Sequence, residues 1–304
     1  MDRFEAMRTL VAAVDGGSLS AAARSLNLPL ATVSRRVADL EAHLGAQLLV
    51  RGARGLNVTE TGAAFVAAAR RVIDDLADAE RAATGEYRVP RGELIVTAPI
   101  MFGKLHVAPI VRSFLAAYPD VTVRLVLADQ LVDMAEAHVD VALRIGKLPD
   151  SELVARRLGA VRWVTIGAPD YLAARGRPDT PDAVAGHDCI AFEGLQTLRH
   201  WAFGEGAARR QVPIRPRLSV NTADAVVAAA EAGVGLARVM CYQAADAIAE
   251  RRVEVVLKSF EPTPNPVQLV HRPAAAQPLK LRAFLDYATP RLKAVLDWVD
   301  RVTR

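Results

Sequence analysis

Hydrophobic spacing divides the chain into three regimes. In the first, apolar residues recur at helical steps. Phe4, Met7, Val11 and Val14 share one face of a helix over residues 2–15. Gly16-Gly17 interrupts the pattern. Ser18 is a good N-cap for a second helix, whose short stripe of Leu19, Ala22, Ala23 and Leu26 ends at Asn27. Val33, Val37, Leu40 and Leu44 fall at i, i+4, i+7 and i+11 of a third helix. Pro29 suits its first turn, where a missing N–H has no partner to lose. The opposite face carries Thr32, Arg35, Arg36 and Asp39. Leu48 and Val50, then Leu56 and Val58, alternate as in two short strands around a turn at Gly52-Ala53-Arg54-Gly55.

The second regime is a single long helix, predicted from about Glu60 to Arg88 with Thr59 as its cap. Phe65, Val72, Leu76, Ala79 and Ala83 repeat at three- and four-residue steps, widened by Val66 and Ile73. Such a stripe packs on its own domain or pairs with a second copy. Tyr87 to Gly92, with Pro90 and Gly92, predicts a hinge.

Beyond the hinge, short apolar runs alternate with helical spacing. Strands are predicted at Leu94–Val96, Val121–Leu127, Val139–Ile145, Val161–Gly167, Cys189–Phe192, Leu218–Val220, Val234–Val239 and Gln268–Val270. Helices are predicted at Leu105–Tyr118, Leu131–His138, Pro169–Ala174 and Ala223–Ala232, with a C-terminal segment from about Leu279 to Arg301 interrupted by Pro290. Trp201–Phe203 and Gln211–Ile214 form a small antiparallel insertion. The alternation predicts parallel sheets with crossover helices, in two α/β subdomains that the chain joins near Val161 and again near Val267. Ligands of such folds sit at the carboxyl ends of strands, between the lobes.

Two short helices joined by a turn, the second with a basic N-terminal half, read as a helix-turn-helix, and the ribbon after them as a wing. The text is Phe4…Leu10-Val11…Gly17-Ser18-Leu19-Ser20-Ala21-Ala22-Ala23, then Ala31-Thr32-Val33-Ser34-Arg35, Leu40-Glu41…Leu44-Gly45-Ala46-Gln47-Leu48-Leu49-Val50-Arg51, Arg54-Gly55 and Val58-Thr59-Glu60-Thr61-Gly62. This stretch resembles the winged helix-turn-helix of LysR-type transcriptional regulators, and Gly92 to about Lys293 resembles that family's effector-binding domain. One departure is Pro29-Leu30, where many members carry Ser-Gln.

The resemblance implies an N-terminal winged helix-turn-helix (1–61), a linker and dimerisation helix (62–88), and a periplasmic-binding-protein-like α/β effector domain (92–304). Within that domain, subdomain I is 92–161 with 267–304, and subdomain II is 162–266. It further implies double-stranded DNA with a pseudo-palindromic operator as partner, a homodimer or homotetramer built as a dimer of dimers, and a regulator rather than an enzyme. The expected DNA contacts are Ser18, Ser20, Leu30, Ala31, Thr32, Ser34, Arg35 and Arg36, with Arg51 and Arg54 of the ribbon on phosphates or a minor groove.

The effector positions follow from strand ends. One strand ends in Thr97-Ala98-Pro99-Ile100-Met101-Phe102-Gly103, after which a helix is expected to start. Another ends at Asn221-Thr222, before a second helix, and a third at Arg144-Ile145-Gly146. Helix N-termini attract anions, and an Arg beside them favours a carboxylate. The candidate set is therefore Thr97, Pro99, Ile100, Met101, Phe102, Gly103, Arg144, Ile145, Gly146, Asn221 and Thr222, with a small organic acid as ligand. Thr97 and Thr222 also suit simple caps.

Composition adjusts this picture little. The chain has 304 residues, net charge +4 and 52% hydrophobic residues, which suits one or two folded domains and permits nucleic-acid binding. Of 38 basic residues only Lys104, Lys147, Lys258, Lys280 and Lys293 are lysines, so position matters here more than bulk arginine. No run long enough to span a membrane and no leader are expected, which points to a cytoplasmic, nucleoid-associated protein. Cys189 and Cys241 are isolated, and the six histidines form no ligand spacing, so neither metal nor cofactor is expected. An enzyme is the main competing class. Gly233-Val234-Gly235 lacks the third glycine of a dinucleotide loop and precedes a strand, and no Gly-x-Ser-x-Gly elbow occurs. A pure solute-binding module is opposed by the winged helix.

Overall fold

The computed structural model describes all residues except 53–54, 85–88, 131–133, 135–137, 149–151, 194–198, 207–208 and 274–276; of 51, 52, 55, 75, 78, 79 and 81–84 it describes the backbone alone. The chain divides into two units, Met1–Gly92 and Glu93–Arg304.

The first unit runs α1 (Arg3–Asp15), α2 (Leu19–Ser25), α3 (Leu30–Leu44), the antiparallel ribbon β1 (Leu49–Gly52) and β2 (Gly55–Val58), and α4 (Glu60–Thr84). Local chemistry sets the breaks. Asp2 caps α1 by accepting from the N–H groups of Phe4 and Glu5, and Ser18 Oγ caps α2 through Ala21 N–H at 3.1 Å. Asn27, at φ 52°, and Gly45, at φ 63°, end α2 and α3 in the left-handed region. Ala6, Leu10, Ala13, Ala22, Val33, Val37, Leu40, Leu48, Leu49 and Val66 form the core. The buried face of α1 is therefore Ala6, Thr9, Leu10 and Ala13, not the expected stripe of Phe4, Met7, Val11 and Val14, which is half-buried. Alanine and threonine let the neighbouring helices approach closely, which a search for large apolar residues misses. Leu44 is likewise 39% exposed although it shares the period of Val33, Val37 and Leu40. On α4, Val66 and Ala69 are buried, but Val72 and Leu76 are 46% and 40% exposed.

The second unit contains β3 (Gly92–Ala98), α5 (Ile100–Phe102), a π-helical stretch Gly103–Val107, α6 (Ala108–Ala117), β4 (Val121–Leu127), β5 (Val141–Ile145), β6 (Val154–Val161), β7 (Trp163–Gly167), α7 (Pro169–Arg175) and β8 (Asp188–Phe192). It continues with β9 (His200–Phe203), β10 (Arg210–Pro213), β11 (Arg215–Val220), α8 (Ala223–Glu231), β12 (Leu236–Met240), α9 (Ala245–Ala249), β13 (Glu254–Val256), β14 (Asn265–His271) and α10 (Leu279–Thr303). Two five-stranded sheets result, ordered β4-β3-β5-β14-β6 and β11-β8-β12-β7-β13, with β9 and β10 as a separate antiparallel hairpin. Both are mixed rather than purely parallel: β3 pairs β5 and β8 pairs β12 in parallel, whereas β14 and β7 run against their neighbours.

Several sequence expectations change. The helix expected from Leu105 begins at Ile100, because Pro99 starts it and Gly103 does not stop it. A Cβ on Gly103 would stand 2.2 Å from Leu127 Cδ2, so this glycine admits a neighbour instead of ending an element. By length and mean hydropathy, 1.3, the Ile100–Ala117 run would suit a membrane, yet Phe102, Val107, Ile110, Val111 and Phe114 pack in the core. Pro290 lies inside an uninterrupted α10. It is exposed, so the Asp286 carbonyl that loses its helical donor can meet water, while Leu285, Leu292, Leu296 and Val299 hold the helix on the core. Strand β6 has no counterpart among the predicted strands, since Arg156-Arg157-Leu158-Gly159 breaks the apolar run. The helix expected over Leu131–His138 lies almost entirely outside the described residues.

Both connections between the sheets are tied together. Arg162, between β6 and β7, meets the Glu261 carboxylate at 2.5 Å and Thr303 Oγ1 of α10 at 2.8 Å. Glu261 lies in the return from β13 to β14.

Candidate nucleic-acid interface and effector cleft

In the first unit, α3 presents two chemically distinct sides. Val33, Val37 and Leu40 anchor it from behind, while Leu30, Ala31 and Arg35 are exposed and Thr32 and Ser34 half-buried. Side chains tilt toward a helix N-terminus, so the first turn projects outward beyond the core. That is the part of a recognition helix that meets base edges. Ser20 is exposed in the first turn of α2, whereas the Ser18 hydroxyl is engaged as a cap. Arg36 is corrected from groove-facing: its guanidinium turns back to α1, 3.0 Å from the Glu5 carboxylate and 3.5 Å from Thr9 Oγ1. Arg51 lies in β1, but its side chain, like all of Arg54, lies outside the described residues.

The ribbon is fixed by groups that the sequence reading passed over. Glu41 of α3 accepts from Leu48 N–H and Leu49 N–H at 2.7 and 2.9 Å. Thr59 Oγ1 donates toward the Gln47 and Leu48 carbonyls and accepts from Gly62 N–H at 2.9 Å. A Cβ on Gly62 would lie 2.0 Å from the Leu48 carbonyl oxygen.

In the second unit, the edges carrying the candidate effector residues do meet. Thr97 pairs with Ala142, so Thr97 and Arg144 project from the same face of their sheet. Lys104, just after α5, lies 3.6 Å from Asp224 in the first turn of α8, and the Phe102 ring contacts Tyr242 edge-on at 5.0 Å. Ile100, Asn221 and Thr222 are exposed there, Pro99, Met101, Ile145 and Gly146 half-buried, and Phe102 and Gly103 buried. Thr97 Oγ1 is buried and has no hydrogen-bond partner among the described residues. Arg144 is 8% exposed, and burial lowers its guanidinium pKa.

The helix N-termini differ from the expectation. The Asp129 carboxylate already accepts from Ile100 N–H at 3.0 Å. Asp224 accepts from Ala225 N–H, and its carboxyl is held below the ordinary value by the Thr222 hydroxyl first, with Ala225 N–H and Lys104 adding to it. The chain's own carboxylates therefore meet one backbone N–H at each helix start where a ligand anion was expected.

A cavity of about 530 Å³ opens beside this region and shares no residue with the candidate set. Trp163 and Asn265 line it at the starts of β7 and β14, His200, Ala202 and Gln211 from the β9–β10 hairpin, and Lys147, Arg209 and Arg238 supply positive charge against Glu205. Glu205 is itself engaged by the Thr263 N–H and hydroxyl. Arg238 is 4% exposed, with its guanidinium 4.2 Å from the Phe203 ring centre; burial lowers its pKa to about 10, opposed by Glu261. The hairpin was legible in sequence, but its role as a cavity wall was not, because Arg238 of β12 and Lys147, just after β5, are distant from it in sequence.

Residues 4–63 match the bacterial regulatory helix-turn-helix protein, lysR family, and residues 88–293 the LysR substrate binding domain. The chain belongs to the LysR family. It is a DNA-binding transcriptional regulator with an effector-binding domain, not an enzyme. An HTH-type transcriptional regulator of Xanthomonas campestris pv. campestris is 33% identical over 95% of this chain and 85% of its own length. CrgA of Neisseria meningitidis is 32% identical, covering 95% of this chain and 96% of CrgA. The solved structure of CrgA superposes with a TM-score of 0.60 over 95% of this chain and 98% of that one, at 31% identity. Full-length AphB, the Vibrio cholerae virulence activator, matches with a TM-score of 0.59 at 25% identity, over 93% of this chain and 97% of AphB.

Proposed function

We propose that this LysR-family chain binds a pseudo-palindromic operator as a dimer or dimer of dimers, and that an anionic small molecule in the cleft adjusts its grip on that DNA. The divisions are those of the sequence: 1–61 binds DNA, 62–88 pairs, and 92–304 senses, with lobes 92–161 plus 267–304 and 162–266. It works in the cytoplasm, on the nucleoid. The observation that carries the reading is the first turn of α3, where Leu30, Ala31 and Arg35 stand exposed on a helix anchored by Val33, Val37 and Leu40. Thr32, Ser34 and Ser20 complete the groove-facing set, and Arg51 and Arg54 belong on the backbone. Exposed Val72 and Leu76 on α4 support pairing, since two recognition helices on a symmetric dimer face successive turns of one duplex side. The positive balance of Lys147, Arg209 and Arg238 supports an organic acid, with the hairpin cavity extending the room available beyond the strand ends at Thr97, Arg144 and Thr222.

The test is a gel shift on the DNA upstream of its own gene, across a salt series, with Arg35→Ala as control. Tight, sequence-specific binding that falls by about 1–3 kcal/mol in the variant supports the reading. Equal weakening on all DNA with a shallower salt slope would reassign Arg35 to phosphate. Unaltered binding on every duplex would reject the α3 assignment.

A further inference from the structure

Leu30 is the first residue of α3 and is 48% exposed. Nothing in the unit's core requires it: the α3 residues that enter the core are Val33, Val37 and Leu40. Pro29 precedes it as the N-cap with no side-chain hydrogen bond, so no polar cap competes for the space ahead of the helix. Of the neighbouring polar and charged groups, Thr32, Ser34 and Arg35 lie further along the helix, and Asn27 lies three residues back, before Pro29. A leucine at this point has no hydrogen-bonding group to offer a base edge. The one major-groove feature that an aliphatic side chain recognises is the C5-methyl group of thymine, which no other DNA base carries.

We propose that Leu30 is a specificity-determining residue that reads a thymine methyl in each half-site of the operator. This rests on the proposed placement of α3 in the major groove. The contact excludes water from two apolar groups that are exposed in the free molecules, so its contribution scales with one methyl-sized burial, about fourfold in affinity. It discriminates against cytosine and guanine, which present no methyl there, and it makes the duplex preference sensitive to a single carbon atom.

The experiment uses the full-length chain. Its preferred duplex is first selected from a random library, and then every thymine is replaced singly by deoxyuridine, which removes the methyl and leaves base pairing intact. The expected result is one position per half-site where the replacement costs wild type about fourfold, while Leu30→Ala binds the thymine and uracil duplexes equally. Leu30→Gln should change the base selected at that same pair. A flat uracil scan with specific binding retained would overturn the Leu30 contact alone. A uracil penalty of undiminished size in Leu30→Ala would also overturn it, assigning the methyl to another side chain. Selection of no sequence at all would sink both this contact and the operator reading. Because Leu30 is half exposed, the variant is expected to fold, and an unchanged circular dichroism spectrum with retained non-specific binding checks that.

Discussion

The Arg36 guanidinium and the Glu5 carboxylate, 31 positions apart in sequence, meet at 3.0 Å and join α3 to α1. Glu5 also holds Arg8 at 2.9 Å, so one carboxylate serves two arginines. The pair is partly exposed, so Arg36→Ala should cost the winged-helix unit about 0.5–1 kcal/mol. Chemical denaturation of the 1–304 chain reads the loss. The salt slope of DNA binding should stay as in wild type, because an arginine paired with Glu5 neutralises no phosphate and displaces no counterion; a slope reduced by about one would put it back on the DNA.

Leu76 and Val72 present about half of their surface to solvent from the same side of α4. Leu76→Glu should shift sedimentation toward the monomer and weaken operator binding in proportion. Unchanged assembly would reject this stripe as the pairing surface.

Arg162 and Glu261 hold the two interlobe connections at 2.5 Å, with side chains only 18% and 11% exposed. Removing one partner strands a buried charge, which costs about 3–5 kcal/mol. Arg162→Ala should therefore lower the melting temperature of the 93–304 unit, and Glu261→Gln in the same chain should recover part of the loss. A neutral Arg162→Ala would show that water reaches the pair.

Burial pushes the His106 imidazole down to about 4 from its usual 6.5, with Asp246 pulling weakly the other way. Burial and Arg175 move His187 in the same direction. An unfolded chain then binds protons that the folded one refuses. Stability should be complete above about pH 6.5, fall as pH drops toward 4, and level off below. Urea midpoints at pH 7 and pH 5 measure the slope, and His106→Gln should flatten it. A slope identical in the variant would assign the effect to other groups.

The sequence displayed elements whose signals are local. Ser18, Asn27 and the Val33-Val37-Leu40 step define the helix-turn-helix without reference to anything distant. The positions that misled are those settled by tertiary neighbours. Gly103 looked like a helix boundary, but it accommodates Leu127. Pro290 looked like a break, but solvent on one side and a packed core on the other keep α10 continuous. Arg36 shares the polar face of Arg35, and only Glu5 on another helix distinguishes them. At the helix starts where polarity suggested an anion, Ile100 N–H and Ala225 N–H are met by Asp129 and Asp224, which lie in a loop and a first turn, where charge carries no period to read.

Thr59 couples two objects that a diagram would draw separately. Its hydroxyl and N–H both reach the chain entering the ribbon, at Gln47 and Leu48, while the same oxygen receives Gly62 of α4, whose missing Cβ leaves room for Leu48. The joint leaves no slack: a turn of α4 about its axis must either break the hydrogen bonds at residue 59 or be passed on to the chain at Gln47 and Leu48, where the ribbon begins.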